Sequence, residues 1–128
     1  PLYKYWQICQ HRNWMRPTRS ISWLKAARRE FEAFPQDAQA TLLRALTIAA
    51  EGSKADIAKP FKGVDGGVFE IALKHRGDAY RVIYAVQLGP DLVVIDAFQK
   101  KSKSGSKTPQ RDVDRIKERI MRLKEALR

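Results

Sequence analysis

At residue 68 the hydrophobic period of the chain changes from 3.6 to 2, and this constrains the fold more than any other feature. In VFEIALK, Phe69, Ile71 and Leu73 alternate with Val68, Glu70, Ala72 and Lys74. In AYRVIYAVQ, Tyr80, Val82, Tyr84 and Val86 alternate with Arg81, Ile83 and Ala85. Between them HRGD reads as a turn, with Gly77 able to take a positive φ. Gly89-Pro90-Asp91 is a second turn, and LVVIDAF is a third strand. Three strands joined this tightly form an antiparallel meander.

The residues before the meander read as one short strand and two helices. ISWL (21–24) carries β-formers, and Leu24, Ala27, Phe31 and Phe34 then fall at helical spacing up to Pro35. A second helix over about 36–51 places Ala38, Leu42, Ala45, Leu46 and Ala49 on one face, with Gly52 as terminator. Residues 52–67 hold the turn Gly66-Gly67 and read as a loop. After the meander, Thr108 as N-cap and Pro109 at the first helical position announce a last helix. Its apolar stripe is Val113, Ile116, Ile120, Leu123 and Leu127. The order implies an α+β domain, with the helices packed on one face of the sheet and the other face partly open. Residues 1–17 lack a consistent period and read as an N-terminal extension of uncertain origin, leaving 18–128 as a single domain.

Charge narrows the partners. Of the net +11, residues 1–30 carry +6, residues 31–97 carry −2 and residues 98–128 carry +7. Positive ends around a near-neutral middle suit a polyanion, nucleic acid first and an acidic protein second. With 128 residues the chain supports one core, and it has no apolar run of membrane-spanning length. Its single cysteine, Cys9, forms no internal disulfide, in keeping with a reducing, cytoplasmic setting and no membrane partner.

Strand phasing then gathers candidate chemistry on one side of the sheet. If Phe69, Ile71 and Leu73 face the helices, Glu70, Ala72 and Lys74 face away, and Arg81 joins Glu70. Asp96, Phe98 and Lys100 share a side of the third strand and complete the set. Arg and Lys would hold phosphate oxygens, Phe98 would lie under an unstacked base, and Glu70 would take a hydroxyl proton. The bland readings are a cross-strand Glu70–Arg81 ion pair, a core Phe98, solvated lysines and a solvent-facing His75. No His/Cys/carboxylate cluster has metal spacing, and no phosphate loop or Ser/His/Asp arrangement is visible, so neither metal nor cofactor is expected.

The segments KPFKG (59–63), VFEI (68–71), YRVIY (80–84) and FQKKSKSGSKTP (98–109), in order and tightly spaced, resemble the phage-derived, HigB-like branch of the RelE/ParE toxin superfamily. The similarity covers about residues 20–127. It implies a RelE-like fold and the toxin of a type II toxin–antitoxin pair, a ribosome-dependent endoribonuclease that cuts mRNA through the RNA's own 2′-hydroxyl without a metal. The implied partners are the ribosome, mRNA and a HigA-like helix-turn-helix antitoxin. Carried over by position, Arg81 corresponds to the phosphate-binding arginine, and Lys100 and Lys101 to basic residues that bind the scissile phosphate or protonate the leaving oxygen. Glu70 is the candidate general base, with Lys74 or a nearby His as rivals, because strand lysines of RelE are replaced here by Glu70 and Ala72. Lys62, Lys74, Arg76, Phe98, Lys103 and Lys107 are the further RNA-binding candidates. The alternatives are a ParE-like, non-enzymatic inhibitor of DNA gyrase and a basic nucleic-acid-binding module.

Overall fold

In the computed structural model, which describes residues 18–64, 66–100 and 108–127, local sequence chemistry accounts for most element boundaries. In chain order the elements are β1 (Ile21–Trp23), α1 (Lys25–Glu32), α2 (Gln36–Ala50), β2 (Ala58–Pro60), β3 (Val68–His75), β4 (Asp78–Ala85), β5 (Leu92–Lys100) and α3 (Gln110–Ala126). Pro35 sits at the N-cap of α2, where its missing N–H costs nothing. The far end of α2 closes in a Schellman arrangement, with Gly52 at φ 96° and the Ser53 N–H donating to the Ile48 carbonyl at 3.1 Å. The extension expected over 1–17 lies outside the described residues, as do Lys101, Lys103 and Lys107.

The strands form one sheet in the order β1-β5-β4-β3-β2. The β3-β4-β5 meander is antiparallel, and β1 runs parallel to β5 at one edge. Between β3 and β4, His75 pairs with Asp78 across a two-residue turn in which Arg76 (φ 53°) and Gly77 (φ 86°) are both left-handed. Two positive φ values give the type I′ geometry whose twist matches the strands. At the other edge, β2 pairs with β3 through Ala58–Ile71, Lys59–Glu70 and Pro60–Phe69. This three-residue strand replaces part of the loop expected over 52–67. It has no periodicity of its own, and its proline is tolerated because it lies at an edge.

The alternating side chains of the meander build two cores. On one face Ile71, Tyr80, Val82, Tyr84, Leu92 and Val94 pack against Ala27 and Phe31 of α1 and Leu42 and Leu46 of α2. A chain of tilted rings, Trp23–Phe31–Phe34–Tyr80, runs through it with centroids 4.8–5.7 Å apart. On the opposite face Val68, Ile83, Ala85, Val93 and Ile95 pack against Ile116 and Ile120 of α3.

The helices therefore occupy both faces, and the expectation of helices on one face is corrected. The amphipathic stripe of α3 needs an apolar partner, and the second face offers one because Ile83 and Ala85 alternate with Val82 and Tyr84. A bulge adds to it. Ile83 pairs with Asp96 while Tyr84 pairs with Val94, so Ile95 is the extra residue. Ile95 and Asp96 both turn toward α3. No helix among the described residues is long and apolar enough to cross a membrane.

Beyond Val94 the outer side of β5 has no strand partner in β1. Side chains from α1 and α3 meet there. Arg119 of α3 donates to both carboxylate oxygens of Glu30 in α1, at 3.1 and 3.2 Å, and to the Ile95 carbonyl at 3.1 Å. The contact ties the two helix layers together around a sheet edge, where a bare strand would invite pairing with another chain.

Candidate active site

Sheet register places the chemistry on the α3 face, at the end that the apolar part of α3 does not cover. Lys59, Glu70 and Ile83 lie in one cross-strand row, Ala72, Arg81 and Phe98 in the next, and Lys74, Ala79 and Lys100 in the third. Glu70, Arg81 and Lys100 are thus diagonal neighbours pointing the same way. They are also buried, at 4%, 4% and 5% exposure. Burial removes each charge from water, a cost offset only where opposite charges and hydrogen bonds replace the lost hydration.

Arg81 Nη1 donates to Glu70 Oε2 in a close, buried ion pair. The Thr108 hydroxyl joins both partners, accepting from Arg81 Nη1 at 3.1 Å and donating to Glu70 Oε2 at 3.3 Å. Thr108 thus does not serve as N-cap. Pro109 holds that position with no side-chain cap bond, and its carbonyl accepts from the Asp112 and Val113 N–H groups. The threonine hydroxyl is spent on a tertiary contact instead.

The Lys100 ammonium is pushed below its ordinary pKa of 10.5, first by burial and then by the neighbouring charge of Arg81. Glu70 pulls it back up, and Lys59 adds a smaller push down. A lysine in such a setting gives up its proton more readily than one in water.

Glu70 and Thr108 form one end of a cleft of about 500 Å³, between β2 with its following turn and the first turns of α3. Phe61 and Val113 give it an apolar floor, Pro60 borders it from β2, and Lys59, Lys62 and Lys117 stand around it. Arg81 does not line the cleft itself; it lies behind Glu70 and Thr108.

Of the residues singled out from sequence, Glu70, Arg81 and Lys100 come together, and Lys62 reaches the same cleft. Lys74 is exposed on the same face, in the row of Lys100. Phe98 is half-buried at the rim of the α3 core, with the Arg115 guanidinium 5.7 Å from its ring centroid. Arg76 stands apart. It sits at the β3-β4 turn within 3.7 Å of Asp37 in α2, toward the other helix layer. His75 alternates with Lys74 and touches Tyr80 of the α1/α2 core, which places it on the opposite face from Glu70 and removes it as a nearby base.

Three residues of the site were not singled out from sequence as site residues: Lys59, Thr108 and Lys117. Lys59 stands in the KPFKG segment but becomes adjacent to Glu70 only through β2, which has no pattern of its own. Lys117 lies one turn beyond Val113 on α3, a helix whose packing face no local signal declared.

Asp96 lies on the expected side, in the row of Glu70 and Ile83, but is fully buried and held by arginines of α3. It accepts from Arg115 at 2.9 and 3.2 Å and lies 3.1 Å from Arg119. Burial raises its pKa, against the lowering effect of the two arginines. Among the described residues no group of three or more His, Cys, Asp or Glu side chains is placed to hold a metal ion.

A family model described as phage derived protein Gp49-like (DUF891) matches residues 29–121. The fold is similar to that of a mutant of the Escherichia coli toxin RelE in the free state, with a TM-score of 0.57 and 16% identity over 83% of this chain and 98% of that one. A toxin–antitoxin complex, RelBE2 from Mycobacterium tuberculosis, matches with a TM-score of 0.45 and 16% identity over 66% of this chain and 100% of that one. A comparison with curated proteins gives no match.

Proposed function

The chain belongs to the phage-derived Gp49-like family, and from that premise we propose that it is the toxin of a type II toxin–antitoxin pair, cutting mRNA on the translating ribosome without a metal. The observation that carries the reading is the convergence of Glu70, Arg81 and Lys100 beside a lysine-rimmed cleft. A carboxylate, a guanidinium and an acidified ammonium supply what transesterification of RNA needs. The 2′-oxygen attacks the adjacent phosphorus as Glu70 takes its proton. Charge collects on the non-bridging oxygens, and Arg81 neutralises it. The bond from phosphorus to the 5′-oxygen breaks as Lys100 delivers a proton to that oxygen, leaving a 2′,3′-cyclic phosphate and a 5′-hydroxyl.

In the structure Arg81 and Glu70 hold each other, with Thr108 on both. Substrate must therefore displace part of this pair, a phosphate oxygen taking the place of the carboxylate on Arg81. That exchange frees a carboxylate oxygen at the moment a base is required. Lys101 remains a candidate beside Lys100, with Lys103 and Lys107 as grips on the RNA backbone. The expected partners are the ribosome and a helix-turn-helix antitoxin of the HigA kind, and the expected location is the cytoplasm.

Expression in a bacterium tests the reading. Translation arrest with mRNA cut inside reading frames is the expected result, and Arg81→Ala should strongly weaken both. DNA damage with filamentation and intact mRNA would instead identify a gyrase inhibitor.

A further inference from the structure

The cleft bounded by Glu70 and Thr108 is lined by further residues of two kinds, apolar and cationic. At one end stand the carboxylate and hydroxyl of the catalytic cluster. The floor is apolar, built from Phe61 and Val113, with Pro60 at its β2 border. Three ammonium groups surround that floor, Lys59 and Lys62 from the β2 side and Lys117 from α3. All three lysines are exposed, so their charges lie in solvent range at the rim.

An apolar floor with a cationic rim is the complement of a flat, weakly polar base carrying a phosphate. The cleft volume of about 500 Å³ lies within the usual range of ligand pockets, roughly 300–1,000 Å³, and is ample for one nucleotide. Among the described residues lining it the charge balance is one-sided, three lysines against Glu70, which already receives Arg81 and Thr108. Gly63 lies where the two walls approach, and its left-handed backbone is what calls for glycine there. It has φ +98°, and a Cβ there would stand 3.7 Å from Lys117 Cε and 3.8 Å from Val113 Cγ1.

We infer that this cleft seats a single unpaired nucleotide of the RNA next to the scissile bond, its base against Phe61 and Val113 and its phosphate against Lys59, Lys62 and Lys117. The inference rests on the reading of the protein as a ribonuclease and adds a substrate subsite to it. The base lies in a slot with few polar groups, so seating is governed by stacking and phosphate attraction more than by base-edge hydrogen bonds. A nucleotide held there is oriented toward Glu70 and Thr108 at the cleft's end.

The test uses the whole chain and two readouts. In the first, adenosine 5′-monophosphate is titrated against the isotopically labelled protein and followed by NMR, with adenosine and inorganic phosphate as controls. The expected result is movement of the Val113 and Phe61 signals with the nucleotide, smaller with adenosine and absent with phosphate. Equal shifts with phosphate would overturn the base-binding slot, leaving only an anion site, and shifts confined to other residues would overturn the location.

In the second, affinity for a short single-stranded RNA is measured against salt for the wild type, Lys59→Ala, Lys117→Ala and the cleft-filling Gln110→Trp. Each lysine removed should lower the log–log salt slope by about 0.7, and Gln110→Trp should weaken binding about tenfold with the slope nearly kept. Unchanged slopes and affinity in all three variants would overturn the subsite.

Cleavage assays separate this inference from the one beneath it. A chain that binds the nucleotide here yet leaves RNA uncut on ribosomes loses the nuclease reading and keeps the subsite. A chain that cuts RNA with unchanged KM in all three variants keeps the nuclease reading and loses the subsite.

Discussion

The two faces of the sheet are made by the same alternating strands and yet come to opposite ends. The face under α1 and α2 is apolar from Leu92 and Val94 to Ile71 and Tyr80, with His75 and Asp78 only at its turn end. The face under α3 is apolar only from Val68 and Ala85 to Ile95, and beyond that carries Glu70, Arg81 and Lys100. The difference follows from coverage. Two helices span the first face, whereas one helix spans part of the second and its start leaves a cleft. A face that is half covered can hold charges in a dry but reachable place, where electrostatic interactions are strong. A face that is fully covered has no such place.

The largest expected effect separates the faces by what each loses. On the α3 face, Arg81→Ala should lower the rate of RNA cleavage about 100- to 1,000-fold, as expected when one preorganised donor to a developing charge is removed. It also leaves Glu70 buried without its ion-pair partner, so the variant should be destabilised. Arg81→Met with Glu70→Gln removes the charges together and should recover stability but not activity. On the other face, Leu42→Ala in α2, at a fully buried position, should cost about 2–5 kcal/mol of stability. Its rate per folded molecule should stay at the wild-type value. Denaturant melts paired with single-turnover cleavage check all of this, and full activity in Arg81→Ala would end the division.

Next in size is Lys100, where rate and stability should respond to pH in opposite directions. As the acid, Lys100 is active when protonated, so the rate should fall as pH rises through its depressed pKa, beginning below the ordinary 10.5. For stability, the folded protein binds fewer protons than the unfolded chain between the depressed and ordinary values. Unfolding free energy should therefore rise with pH across that window. Lys100→Arg stays charged and should lose the alkaline limb of the rate profile. Lys100→Ala should slow cleavage about 100-fold or more. A pH–rate profile identical in wild type and Lys100→Arg would assign the acid to another group.

Most of this contrast is legible in the sequence. The period-2 runs identified β3, β4 and β5, and the phase of Glu70, Arg81 and Lys100 put them on one side. Family stands as read, and so does the element order apart from β2. The side taken by α3 was not legible, because an apolar stripe such as Ile116 and Ile120 says that a helix packs, not on which surface. Nor was β2, whose three residues pair only because β3 offers an edge. LVVIDAF hid its bulge for a related reason. In a run of consecutive apolar residues, an extra one leaves no mark in the pattern. Thr108 shows the limit of capping chemistry, since a hydroxyl before Pro109 has a local use that a buried ion pair can outbid.

That same hydroxyl gives a smaller effect. Thr108→Val keeps the shape and removes both hydrogen bonds, which should cost about 1–2 kcal/mol of stability. Cleavage should slow several-fold as the Glu70–Arg81 geometry loosens. Thr108→Ser keeps the hydroxyl and should recover most of both. If Thr108→Val keeps stability and rate while Thr108→Ser loses them, the methyl group matters at this position and the hydroxyl does not.

The smallest effect sits where the two faces meet solvent, at the β3-β4 turn. Arg76 is held at φ 53°, a conformation that disfavours a long side chain and suits asparagine, above all before a glycine. Its ion pair with Asp37 is exposed on both sides and contributes little. Arg76→Asn should therefore stabilise the protein slightly, by about 0.5 kcal/mol. The same substitution asks which face RNA uses. The turn leans toward α2, away from Glu70 and the lysine-rimmed cleft, so RNA affinity and its salt slope should not change. A fall in both would bring RNA around the β3-β4 turn onto the α2 side, and the division of labour between the faces would have to be redrawn along the sheet instead of across it.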